Sequence, residues 1–327
     1  MSQTETARVS VLTPVYNGEK HIETCIESVL AQTYSNFEYI IINNCSTDGT
    51  LAIAESYARH DPRIRVISNP SLLNVVDSHN KAFSVAPPEN RYIKILGADD
   101  WLFPNCLTEL VNVADQHPTV AMVTSYVLVG AYIGWAGLPF PSTFLRGREV
   151  CRMRLRDKIL VFGGPSASLL RTSAVKAHLP FYTIGNYHGD NEAYLRLLEK
   201  HDFGFVHQVL SFNRRDEDSR TTHYLQRHNS NIVSVLEEIV RFGPVYLTAD
   251  ELRTRLREAK TEYYEFLARA VFEFRSTEFW KLHLDRLNAM GMPLERGLLA
   301  RKVTGRFLDM LLNPKRTIEN ICARIRA

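Results

Sequence analysis

Residues 8–50, RVSVLTPVYNGEKHIETCIESVLAQTYSNFEYIIINNCSTDGT, decide the fold. RVSVLTP (8–14) is a short apolar run that stops at a proline. Ile22, Cys25, Ile26, Val29 and Leu30 then recur at helical spacing, one face of an amphipathic helix. EYIIIN (38–43) reads as a second buried strand. STDGT leads into a helix carrying Leu51, Ile53, Ala54, Tyr57 and Ala58 on its inner face.

The same alternation continues outward. IRVIS (64–68) predicts a third strand, VVDSHNKAF (75–83) a third helix, and RYIKILG (91–97) a fourth strand. Pro104 suits the first position of a helix whose buried stripe is Leu107, Leu110, Val111 and Ala114. VAMVTSYVLV (120–129) is a fifth strand. Strand–helix alternation predicts an α/β fold, Rossmann-like, with a mostly parallel central sheet joined by right-handed crossovers. Residues 138–222 are mixed. Beyond 223 the pattern turns helical, over 224–242, 249–275 and 294–312, so two parts are expected, 1–222 and 223–327.

Composition narrows the function classes. In 327 residues, 45% are hydrophobic and 23% charged, so the chain buries a core and is not a disordered segment. A net charge of +3 is too balanced for a dedicated nucleic-acid binder. Five dispersed cysteines with no CxxC argue against a disulfide framework or structural zinc and for a reducing compartment. The first ten residues hold no apolar run, so no secretory leader is expected, and a cytoplasmic setting is. Thr119 to Ser142 lacks charge, but its glycines and prolines favour a strand and loop over a membrane span. The last 27 residues carry seven Lys/Arg against two Asp/Glu. With Phe307, Leu308, Leu311, Leu312, Ile318, Ile321 and Ile325, that end suits an anionic membrane surface, an oligomer interface or a helical core.

In parallel α/β sheets, ligands bind beyond the carboxyl ends of the strands. Those ends carry Pro14-Val15-Tyr16-Asn17, Asn43-Asn44-Cys45-Ser46-Thr47-Asp48-Gly49 and Gly97-Ala98-Asp99-Asp100. An aromatic ring, amides and paired carboxylates can stack on a base, bond its edge and ligate a cation. No GxGxxG follows the first strand and no GxxxxGK[ST] occurs anywhere, which disfavours dehydrogenases and P-loop enzymes. A diphosphate would then be neutralised by a hard cation on carboxylate oxygen.

These segments, read with YIKILGADD, resemble glycosyltransferase family 2 over about residues 8–220. The resemblance implies the GT-A fold and an inverting transfer of sugar from a nucleoside-diphosphate donor to a hydroxyl. A UDP-sugar is favoured, with dTDP- or GDP-sugars open, and Mg²⁺ or Mn²⁺ is the implied cation. The implied acceptor is a glycan or a lipid-linked glycan in surface-polysaccharide synthesis. By the same resemblance Pro14, Val15, Tyr16, Glu19, Asn44, Asn80, Ala98, Asp99 and Arg214 contact the nucleotide. Asp99 and Asp216 would hold the metal, and Asp190, in Gly189-Asp190-Asn191, would be the catalytic base. Asn44 stands where the family usually has aspartate, Gly97 replaces the first aspartate of Asp-x-Asp-Asp, and Asp216 replaces a histidine. Asp216 would compensate for the carboxylate missing at position 97. Those departures keep open an inactive relative that binds nucleotide-sugars or acts as a scaffold. A sugar nucleotidyltransferase is the other alternative, although its glycine-rich loop is missing. The arginines at 146, 148, 152, 154 and 156 read as a solvated helix face or a contact for an anionic acceptor, and peripheral membrane contact and a homo-oligomer remain open.

Overall fold

The computed structural model describes residues 8–186, 188–214 and 227–313. Backbone proximity divides the chain into two compact units, Met1–Asp216 and Glu217–Ala327. The expected boundary at 222/223 lies outside the described residues.

The first unit is built on one sheet. In chain order its elements are β1 (Val9–Val15), α1 (Ile22–Leu30), β2 (Phe37–Asn43), α2 (Thr50–His60), β3 (Ile64–Ser68), α3 (Val75–Val85), β4 (Tyr92–Ile95), β5 (Trp101–Leu102), α4 (Cys106–Gln116) and β6 (Val120–Val129). They continue with β7 (Tyr132–Gly134), β8 (Phe144–Leu145), α5 (Gly147–Asp157), a 3-10 turn (Pro165–Ala167), β9 (Leu169–Arg171), α6 (Thr172–Lys176), α7 (Gly189–Leu197) and β10 (Asp202–Asn213). The strand order is β3-β2-β1-β4-β9-β6-β10-β5, with β7 on β6 and β8 on β10.

The long pairings, β3-β2-β1-β4 and β6-β10, are parallel, as βαβ crossovers require. The sheet is nonetheless mixed. β9 runs antiparallel to both β4 and β6: the chain reverses at the β6–β7 hairpin, runs through β8 antiparallel to β10, and reaches β9 by way of α5 and the 3-10 turn. The charge-free stretch 119–142 is β6 with its hairpin partner β7, and no helix among the described residues is long and apolar enough to cross a membrane.

Burial follows the periodicity. Ile22, Cys25, Ile26 and Val29 of α1 and Leu107, Leu110, Val111 and Ala114 of α4 pack with Val9, Val11, Tyr39 and Ile41 of the sheet in one core cluster. Each fully buried aliphatic side chain there contributes about 1.5–3 kcal/mol. Pro104 precedes α4 rather than opening it: the amide of Cys106 closes a turn on the Phe103 carbonyl, and Asn105 is the cap.

Register positions the functional loops. Val15 stands opposite Asn43, so β1 and β2 end side by side, while β4 ends earlier, with Ile95 opposite Leu12. Phe212 pairs with Trp101 across β10 and β5, which delivers Asn213 and Arg214 to the turn after β4.

The second unit is helical: α8 (Ser230–Tyr246), α9 (Ala249–Phe272), α10 (Thr277–Ala289) and α11 (Arg296–Leu312). Val233, Leu236, Ile239 and Phe242 of α8, Tyr263, Phe266 and Leu267 of α9, and Phe279 and Leu287 of α10 form its interior. A capping box between Thr248 and Glu251 starts α9, and Ser276 caps α10.

Candidate active site

The loops after β1 and β2 are zipped together. The amides of Asn17, Gly18 and Glu19 donate to Ser46 Oγ, Thr50 Oγ1 and Asp48 Oδ2 at 2.8–3.1 Å. In return Asn17 Oδ1 accepts from the amide of Thr47, and the Glu19 carboxylate from that of Gly49. Burial alone would raise the Asp48 pKa, but hydrogen bonds from Thr50 and from backbone amides outweigh it and hold it below the usual range. Asn17 and Cys45 both adopt left-handed backbone (φ 50° and 59°), a strain these contacts hold in place.

Several expected nucleotide contacts therefore have structural work. Val15 is core, and its carbonyl accepts from the Asn44 amide. Glu19 braces the second loop. Asn44, 4% exposed, pairs its amide with both backbone groups of Leu73 at 2.9 Å and also accepts from Asn69. An amide makes that two-way pairing and a carboxylate cannot, because carboxylate oxygen only accepts. Asn80 pairs in the same way with the backbone of Tyr182, 2.8 and 2.9 Å away. Pro14, Tyr16 and Ala98 stay half-buried at the strand ends.

The turn after β4 gathers a dense set of polar contacts. Asp100 is 6% exposed and accepts from Ser166 Oγ (2.5 Å), Asn213 Nδ2 (2.6 Å) and the Arg214 amide (2.9 Å). Burial, then the neighbouring Asp99 charge, push its pKa up against those donors. Arg214 Nε also donates to the Asp99 carbonyl (3.2 Å), and its guanidinium lies 5.7 Å from the Trp101 ring, which stacks on Phe212. Asp99 and Arg214 are thus brought together, through the Asp99 backbone carbonyl. Asp216 lies outside the described residues.

Beneath them sits a group that the sequence reading missed. Lys94, fully buried in β4, donates to the Ser166 carbonyl at 2.6 Å, and burial depresses its pKa while nearby Asp100 opposes that. Ser166 Oγ also accepts from the Gly97 amide at 3.0 Å. A lysine inside the apolar run YIKIL was the signal; Ser166, in a Gly-Pro-Ser stretch, had none.

Asp190 lies in the first turn of α7 and lines a cleft of about 140 Å³ with Trp135, Arg154, Phe162, Gly163 and Gly164. Asp99 does not line that cleft. Burial raises the Asp190 pKa, opposed by backbone amides and Arg154. A carboxylate so raised is a stronger base. The arginine row divides: Arg154 faces the cleft with its guanidinium 5.3 Å from the Phe162 ring, whereas Arg156 pairs with Asp157 on the surface. The approach to α7 is braced by Glu192, which accepts from Thr183 Oγ1 (2.6 Å) and Asn186 Nδ2 (2.9 Å).

Among the described residues no three His, Cys, Asp or Glu side chains form a preformed metal cage. Asp100 is engaged by its donors, and Asp99 is the other carboxylate of the turn. Magnesium-like cations take one or two protein carboxylates and complete their shell with phosphate oxygen and water. The donor set fits a cation shared with a diphosphate.

The model of the family described as "Glycosyl transferase family 2" matches residues 10–179. The putative glycosyltransferase EpsE of Bacillus subtilis (strain 168) is 34% identical over 151 residues, 44% of this chain and 54% of that protein, so the chain spans about half of that relative. The uncharacterized glycosyltransferase YibD of Escherichia coli (strain K12) is 34% identical over 251 residues, 72% of each chain. Among solved structures, S. aureus TarS 1–349 in complex with UDP-GlcNAc superposes with a TM-score of 0.65 at 15% identity, covering 95% of this chain and 92% of that one. The mannosyltransferase PcManGT from Pyrobaculum calidifontis, in complex with GDP-Man and Mn2+, gives 0.56 at 17% identity, covering 98% and 85%. At such identities the superpositions speak for the fold, which is GT-A-like. The chain belongs to glycosyltransferase family 2.

Proposed function

We propose that the chain transfers a sugar, with inversion, from a nucleoside-diphosphate donor to a hydroxyl of a glycan or lipid-linked acceptor in surface-polysaccharide synthesis. The observation that carries this is the pairing of Asp99 with Arg214 through Asp100, joined by the 163–168 segment to the Asp190 cleft. Arg214 supports the diphosphate as it gains charge on leaving. Asp99 would hold Mg²⁺ or Mn²⁺, which neutralises the diphosphate when bound. Asp190 takes the proton of the acceptor hydroxyl while the new bond forms to the anomeric carbon and the bond to the diphosphate oxygen breaks. One displacement from the opposite face inverts that carbon. Tyr16 and Pro14 offer the base an aromatic and apolar surface. A UDP-sugar is the favoured donor, with dTDP- and GDP-sugars next.

The test is a donor panel with and without Mn²⁺, the product anomer being read by NMR. Asp190→Asn is expected to lower transfer by about 10²–10⁴-fold, the usual worth of a general base, while UDP binding persists. Transfer at the wild-type rate by that variant, or retention of configuration, would contradict the reading.

A further inference from the structure

The 3-10 turn Pro165–Ala167 touches both halves of the site. Ser166 Oγ donates to Asp100 and accepts from the Gly97 amide, and the Ser166 carbonyl receives the buried Lys94 ammonium. Two residues on, Ser168 Oγ pairs with Tyr194 OH at 3.2 Å, on the same helix as Asp190 and one turn along it. Two residues before Ser166, Gly164 forms part of the wall of the Asp190 cleft together with Gly163. An added Cβ at Gly163 would lie 2.5 Å from the Ala167 Cβ, so the wall and the turn are packed as one piece. Ser166 and Ser168 are 2% and 1% exposed.

We infer that this turn is a strap that fixes the donor-side pair, Asp99 and Arg214, relative to the helix of the base, with Ser166 and Ser168 as positioning residues. The inference rests on the proposed function. Ser166 acts through Asp100: that carboxylate holds the Arg214 amide, so its orientation sets where the guanidinium and the Asp99 turn stand. Lys94 keeps the strap seated through its hydrogen bond to the Ser166 carbonyl, since a buried polar group without its partner would be costly. Ser168 acts on the other side, holding α7 through Tyr194.

The test separates the two ends. Mn²⁺ is titrated by electron paramagnetic resonance in the presence of UDP, amide exchange at Arg214 is followed without ligand, and transfer is assayed for kcat and KM. Ser166→Ala is expected to raise half-saturating Mn²⁺ by about fivefold and to speed Arg214 amide exchange by a similar factor, the loss of about one hydrogen bond. Ser168→Ala is expected to leave the Mn²⁺ titration within about twofold of wild type while lowering kcat by about tenfold, donor KM unchanged. Should Ser166→Ala fail to fold, Ser166→Cys, the same shape but somewhat larger and a weaker donor, carries the test with a shift in the same direction. The strap is overturned if the Ser166 variant leaves Mn²⁺ binding and Arg214 exchange unchanged, or if the Ser168 variant shifts Mn²⁺ as far as the Ser166 variant. If wild-type protein does not bind UDP with Mn²⁺, the donor assignment fails, and the exchange at Arg214 decides the strap alone.

Discussion

Asn44 shows how a single atom decides a role. Its position at the end of β2 was legible, and its task was not. The amide donates to the Leu73 carbonyl as well as accepting from the Leu73 amide. Asn44→Asp, which restores the family's aspartate, is therefore expected to destabilise the protein by about 1–3 kcal/mol, because a carboxylate faces a buried carbonyl with no proton to share. Chemical denaturation reads this; equal or greater stability of the variant contradicts it. Arg214 is held from three sides by Asp100, Asp99 and Trp101. Arg214→Lys keeps the charge and loses the planar fork. It is expected to lower kcat by about 10–10²-fold with a smaller change in donor KM, measured by steady-state kinetics. Asp99 and Asp190 could be found from strand ends and motif order. Lys94 and Ser166 could not be given roles, because their partners lie 72 residues apart and only the sheet brings them together.

At the scale of elements, legibility tracked length. β1, β2 and β6 are long, almost wholly buried and largely apolar runs, β3 is a shorter β-branched stretch, and the helices between them keep their stripes. β5 and β8 are two residues each, below any periodic signal. In the helical unit, the helix expected over 249–275 is α9, which ends at Phe272, whereas α10 (Thr277–Ala289) lies outside every helix expected from the sequence. The break is at Phe274, in left-handed backbone (φ 49°) with neither glycine nor proline to mark it. Conversely α8 runs to Tyr246 through Pro244. The packing of α5 gives a test of element placement. A Cβ at Gly147 would come within 1.9 Å of the His201 carbonyl oxygen and 2.3 Å of that of Leu198. Both contacts are backbone, so Gly147→Ala is expected to displace α5 and lower the melting temperature by several degrees; an unchanged melting curve contradicts that packing.

For the whole molecule, the two units predict different responses to their surroundings. In the helical unit, His283 is fully buried, its Nε2–H donating to the His228 carbonyl and its Nδ1 accepting from Tyr263 OH. Burial, helped by Arg286, His228 and Arg275 against the His228 carbonyl, lowers its pKa from 6.5 to about 4. The unfolded chain takes up a proton near pH 6.5 that the folded unit refuses until about 4. His283 thus contributes stability that is full above pH 6.5 and falls by up to about 3 kcal/mol as the pH drops toward 4. His283→Phe, measured by denaturation across that range, is expected to flatten the slope; an unchanged slope contradicts the assignment. On α11, Phe307, Leu308, Leu311 and Leu312 are 49–78% exposed, close to Arg301 and Arg306 in the sequence. That combination predicts binding to anionic phosphatidylglycerol vesicles, weakened by salt, and little binding to neutral ones; cosedimentation that does not depend on lipid charge contradicts it.

The most direct measurement is a crystal structure with Mn²⁺ and an unreactive UDP-sugar analogue. The account predicts anomalous density for Mn²⁺ against the Asp99 carboxylate and the diphosphate, with the Asp190 carboxylate facing the anomeric carbon from the side opposite the leaving group. Asp190 opening into a cavity separate from the bound sugar would contradict it.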